Sequence, residues 1–143
     1  MLIRGGCHCG NITFALNWEP DPMEIPVRAC DCTFCTRHAA AWTSKADGSL
    51  RIAVADRTLL SSYAFETQTA EFHVCARCGV VPVATSQVDG ALYAVVNVNA
   101  FHDVDPSLLL RAAASFGNEN GITRLARRKR NWIGDVAYVQ ALP

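Results

Sequence analysis

Seven cysteines in 143 residues constrain this chain more than any other feature. They fall into three groups. Cys7 and Cys9 form a CxC, Cys30, Cys32 and Cys35 form a CxCxxC, and Cys75 and Cys78 form a CxxC followed by Gly79. An odd count cannot pair fully within one chain. The first residues, Met1-Leu2-Ile3-Arg4-Gly5-Gly6, hold no long apolar run of the kind a secretory signal needs. The expected address is therefore a reducing cytoplasm, where clustered cysteines read as metal ligands or redox centres before disulfides. A thioredoxin-like redox pair at Cys75 and Cys78 would need a βαβ setting, which the surrounding sequence lacks.

The spacings suit zinc. Thiolates one or two residues apart can both turn toward one ion about 2.3 Å from each sulfur. Gly79 lets the backbone fold tightly behind its cysteine pair. Seven ligands divide into four and three. Cys7 and Cys9 with Cys75 and Cys78 would close a structural site that staples distant segments. Cys30, Cys32 and Cys35 would then hold a second ion with one position open, the mark of a reactive zinc. The spacing equally allows Cys75 and Cys78 to join Cys30 and Cys32. Iron–sulfur ligation fits this scattered pattern less well. His8 and His73 lie close to cysteines in sequence, as ligands, as donors to ligands, or as strand residues pointing away. His38, three residues after Cys35, is a candidate to complete the open site or move a proton there. His102 reads as a surface residue.

Half of the residues are hydrophobic, enough for a packed core, and the length predicts one domain over residues 1–143. Thirteen basic residues balance thirteen acidic ones. That balance argues against affinity for nucleic acid or membrane driven by overall charge, though not against a local basic patch, and no run of 18 apolar residues predicts a span. Strand patterns dominate. Ile12, Phe14 and Leu16 alternate with smaller or polar residues, as do Leu50, Ile52 and Val54. Leu59 to Phe65, and Leu92 to Val98 after the Asp89-Gly90 turn, are further strands. Phe72 to Val74 and Val80 to Ala84 predict a hairpin with Cys75 and Cys78 at its turn, and Pro82 belongs at an edge or bulge. A helix is predicted near the end, with Ile122, Leu125, Ala126, Trp132 and Ile133 on its apolar face and Gly134 as its stop. Arg124, Arg127, Arg128 and Arg130 fill the remainder. The plain reading of this run is a solvated face, and the functional one an anion clamp. The fold class expected is mainly β with one or two short helices.

Together these groups resemble a known family. Gly5-Gly6-Cys7-His8-Cys9-Gly10, Cys30-Asp31-Cys32-Thr33-Phe34-Cys35, Phe72-His73-Val74-Cys75-Ala76-Arg77-Cys78-Gly79 and the closing Arg127-Arg128-Lys129-Arg130-Asn131-Trp132-Ile133-Gly134 are similar to glutathione-dependent formaldehyde-activating enzymes. The resemblance implies an Mss4-like, zinc-stapled β-sheet fold. It implies a structural zinc on Cys7, Cys9, Cys75 and Cys78, and a labile or catalytic zinc on Cys30, Cys32 and Cys35. The activity implied is of the carbon–sulfur lyase type, a reversible addition of glutathione or another thiol to formaldehyde or another small aldehyde. Arg37 and His38 are then the candidates for holding a substrate carboxylate and handling a proton. The alternative on the same scaffold is a non-catalytic, zinc-stabilised protein-binding module, or a sensor of zinc or thiols.

Overall fold

Alternating apolar residues build two β-sheets, described for residues 1–143 in a computed structural model. The smaller sheet has the order β1 (Leu2–Gly6), β2 (Ile12–Asn17), β5 (Ser49–Val54), β11 (Asp135–Tyr138). The larger runs β10 (Leu109–Ala114), β3 (Ile25–Cys30), β4 (Trp42–Thr43), β9 (Ala91–Asn97), β8 (Val83–Val88), β7 (Glu71–Cys75), β6 (Leu60–Tyr63). Pairing is antiparallel except for β10 on β3 and β11 on β5. Helices α1 (Thr33–His38) and α2 (Gly121–Asn131) complete the chain's main elements. The mainly β expectation holds. No helix is long and apolar enough to cross a membrane.

The two-residue period of a strand gives the larger sheet two apolar faces. Val83, Ala94 and Val96 face the smaller sheet and pack with its Phe14, Leu16, Leu50 and Ile52 in the main core. Burying each such large side chain is worth about 1.5–3 kcal/mol. Ala84 and Val95 face the other way, into a second cluster with Trp42, Trp132 and Cys35. The two helices cover this second face. The register sets Phe72 opposite Ala84 and Ala84 opposite Val95. Small residues in mid-row, with Phe72 and Trp42 flanking them, leave a hollow above the sheet.

Two expectations are corrected. The segment from Val80 does not enter a strand at once, because Cys75 N–H donates to Val80 O at 3.0 Å and closes the turn there. Strand β8 starts only at Val83, and Pro82 sits before it, its carbonyl accepting from Asn97 N–H at 2.9 Å. The orientation of α2 also differs. Ile122, expected on the buried face, is 84% exposed, while Arg124 and Arg128 point inward at 9% and 6% exposure. Only Trp132 and Ile133, just past the helix, are buried as expected.

Candidate metal centres and their cavity

The cysteines assemble as four and three. Cys7 directly follows β1 and Cys75 ends β7, and both are buried in the core between the sheets. Matching tight turns follow them. Gly10 N–H donates to Cys7 O at 3.0 Å, and Gly79 N–H donates to Cys75 O at 2.8 Å. Both glycines have φ near +80°, a region that costs other residues strain. These turns bring in Cys9 and Cys78. The sulfurs of Cys7 and Cys9 are 3.8 Å apart, those of Cys9 and Cys75 3.5 Å, and all four lie within 4.8 Å of one another. A tetrahedral ion with bonds of about 2.3 Å requires sulfurs about 3.8 Å apart, so the donor set fits zinc. Burial pushes the Cys7 thiol up to about 12. Burial also acts to raise Cys78, yet the backbone N–H groups of Val80 and Cys9 and the neighbouring thiols outweigh it and bring Cys78 down to about 6. The alternative grouping of Cys75 and Cys78 with Cys30 and Cys32 is overturned, since the two sets lie on opposite faces of the larger sheet.

The triplet is local. Cys30 is the last residue of β3, Cys32 caps α1, and Cys35 lies within that helix. Cys32 Sγ accepts from Cys35 N–H at 3.3 Å, which replaces one missing helical bond and holds the sulfur inward. Trp42 Nε1–H donates to Cys35 Sγ at 3.4 Å. The three sulfurs are within 4.8 Å of one another. A hydrogen bond from the Cys35 thiol pulls Cys30 down to about 6, and the same bond, with burial, raises Cys35. The set thus stabilises a thiolate, the form that binds a soft cation. Three sulfurs fit a zinc ion with one position left for another donor.

Cys30 and Cys32 open onto the hollow, a cavity of about 350 Å³. Its floor is Phe72, Ala84 and Val95, and Trp42 and Trp132 form walls. Arg28 reaches it because it lies two residues before Cys30 on β3, hence on the same face. Arg124, Arg127 and Arg128 line it from α2. Arg124 Nη2 donates to Phe116 O at 2.9 Å, and Nη1 approaches Glu66 at 3.4 Å, so it ties together two loops at the rim. Arg127 pairs with Glu119 at 3.0 Å and stacks 3.7 Å over the Phe116 ring. Arg128 Nη1 donates to Thr69 Oγ1 at 2.7 Å and Ser86 Oγ at 3.1 Å. Burial, then repulsion from Arg127 and Arg124, lowers the Arg128 guanidinium to about 10. The solvated-face reading therefore holds for exposed Arg130 but is corrected for Arg124, Arg127 and Arg128. Hydroxyls, carbonyls, carboxylates and rings supply what bulk water would.

The family model of the glutathione-dependent formaldehyde-activating enzyme matches residues 2–115. The chain belongs to that family. It is also similar to the crystal structure of a Rhodobacter sphaeroides protein, at 28% identity over 73% of this chain and 92% of that one, with a TM-score of 0.54. No curated protein matches it. The family match takes in all seven cysteines and ends before α2.

In this formaldehyde-activating family member, Arg37 and His38 lie apart from the cavity. Both are exposed on α1, where Arg37 Nη1 donates to Thr33 O at 2.7 Å and His38 packs on the Phe34 ring at 4.4 Å. Neither belongs to the cavity wall, nor does His38 join the triplet. His73 Nε2 is 2.7 Å from Thr85 Oγ1, away from both sulfur sets. His8 is exposed, and so is His102. Sequence reasoning missed Arg28, Trp42 and Phe72 as cavity residues. Their signal was available only in part: Arg28 shares the strand phase of Cys30, but nothing local announces Trp42.

Proposed function

We propose that this protein is a zinc-dependent enzyme of the carbon–sulfur lyase type, acting in the cytoplasm on glutathione and formaldehyde or another small aldehyde. The observation that carries this reading is the opening of Cys30 and Cys32 onto a cavity of about 350 Å³. That volume lies within the range of about 300–1,000 Å³ typical of small-molecule sites, and formaldehyde would leave most of it empty. A larger thiol partner accounts for the remainder.

In the reaction the thiol sulfur forms a bond to the carbonyl carbon. The π pair of the C=O bond moves to oxygen, and the proton lost by the thiol ends on that oxygen. The product is a hemithioacetal, and the reverse step restores both reactants. A zinc ion held by Cys30, Cys32 and Cys35 would supply a Lewis acid that keeps a bound thiol deprotonated at neutral pH. Cys35 anchors this set, buried and oriented by Trp42 Nε1–H. Phe72, Trp42 and Trp132 present apolar surface around the reacting groups and exclude bulk water, which strengthens local electrostatics. Cys7, Cys9, Cys75 and Cys78 would hold a second, structural zinc away from the cavity.

The test is exchange NMR on glutathione and formaldehyde at equilibrium, with zinc-loaded protein, a Cys32→Ala variant, and buffer alone. Exchange above the spontaneous rate only with the intact protein is the expected result. Equal exchange in all three samples would refute the reading.

A further inference from the structure

We propose that, of the four arginines lining the cavity, Arg28 and Arg128 are the two that bind the ligand's carboxylate. The ligand's thiol end rests on the functional reading above; the subsite itself rests on the distribution of charge. Four guanidiniums face this hollow, but they are not equivalent. Arg124 and Arg127 are engaged by Glu66 and Glu119 and shape the rim. Arg28 and Arg128 have no carboxylate within 4.0 Å. Asp31, which also lines the cavity, pairs with neither.

Hydroxyls are the only hydrogen-bond acceptors that meet these two side chains. Arg28 Nη2 donates to Ser44 Oγ at 2.9 Å. Arg128 gives only Nη1 to Thr69 and Ser86, and its Nε is buried without a partner. A guanidinium that is 6% exposed and lacks a counter-charge is costly to keep. Its planar fork suits the two oxygens of a carboxylate. The sequence offers cheaper residues for bonding two hydroxyls, so structural duty alone does not explain a buried arginine here.

The surroundings narrow the ligand further. Arg128 lies 5.0 Å from the Trp132 ring, and Trp42 reaches from the cavity wall to Cys35 Sγ. An apolar path thus joins the arginine end to the triplet. A molecule with a sulfur at one end, an apolar stem and a carboxylate at the other matches this order. Neutral thiols lack the charged end.

The test uses zinc-loaded protein and S-methylglutathione, whose blocked sulfur removes the chemistry from the readout. Its dimethyl ester, which keeps the α-amino group, serves as the control without carboxylates, and inorganic phosphate as the simple anion. Binding is followed by tryptophan fluorescence, since Trp42 and Trp132 line the cavity, and by calorimetry. The diacid is expected to bind at least about tenfold more tightly than the diester, the lower end for a charge-assisted hydrogen bond. Arg28→Gln and Arg128→Gln should each remove most of that preference and leave diester binding unchanged. Phosphate should compete weakly with the diacid. Equal affinity for diacid and diester, no binding of the diacid, or a preference intact in both variants would overturn the subsite. Arg128→Gln also breaks the bonds to Thr69 and Ser86, but the diacid–diester comparison in unaltered protein and Arg28→Gln do not depend on them. A charge preference without catalysed formaldehyde exchange would overturn the functional reading and leave the subsite standing. Catalysed exchange without a charge preference would do the reverse.

Discussion

Cys78→Ala and Cys30→Ala each remove one sulfur from a partly buried position, yet they should differ sharply in stability. The difference follows from what each metal site closes. The four-cysteine set joins the β1–β2 turn to the β7–β8 turn, and Cys9 and Cys75 are 66 residues apart. The triplet spans only Cys30 to Cys35 and links nothing distant. Loop-closure entropy scales as (3/2)RT ln n, so the long-range staple restrains the unfolded chain by about 2.3 kcal/mol more than the local one. Unfolding entropy of about 2.1 cal/mol/K per residue converts this to a difference of about 8 °C in Tm for a chain of this length. That figure is a lower bound, because structural zinc binding in small domains is worth about 10–16 kcal/mol in all. Thermal melts followed by far-UV circular dichroism, with zinc counted by elemental analysis, would measure it. Each variant should lose one zinc. Cys78→Ala should melt at least about 8 °C below Cys30→Ala, which should stay close to the unaltered protein. Equal melting temperatures at equal zinc loss would refute the assignment of staple and reactive site.

Three further outcomes follow from the geometry. Cys7, raised to about 12, and Cys35, also raised, hold their protons at neutral pH, and zinc must displace them. Zinc uptake by stripped protein should therefore release protons, and competition with a chromophoric chelator should show affinity rising between about pH 6 and 8; a flat profile would contradict thiolate ligation. Trp42→Phe keeps a ring but loses the donor to Cys35 Sγ, and should weaken zinc at the triplet by about 10–100-fold while leaving the four-cysteine zinc in place; a chelator titration that removes both ions together would contradict it. On α2, Ile122→Lys should change stability by less than about 0.5 kcal/mol in urea unfolding. Arg124→Ala should cost about 1–3 kcal/mol, because Phe116 O loses its donor and Glu119 and Glu66 lose a cation. The opposite ranking would restore the apolar-face reading of the helix.

Much of the fold and the metal chemistry was legible in the sequence. Thiol spacing is a local property, so the CxC, CxCxxC and CxxC groups announce their ligand sets before any folding. Strands such as Ile12–Asn17 and Ser49–Val54 follow from two-residue alternation, which is also local. Which sets combine is not local. Cys75 joins Cys7 because the strand phase of β7 turns it toward the main core, while Cys35 lies under the opposite face of the same sheet. The inward turn of α2 was equally hidden. Helical periodicity scores arginine as polar, but Arg124 and Arg128 are stabilised inside by Glu66, Thr69, Ser86 and Phe116, all from other parts of the chain. Residue types and spacing determined that this chain carries cysteine sets suited to a metal ion on a β scaffold. Only the packing of distant segments decided that its arginines share a cavity with Cys30 and Cys32, because a buried charge depends on partners that the tertiary structure brings to it.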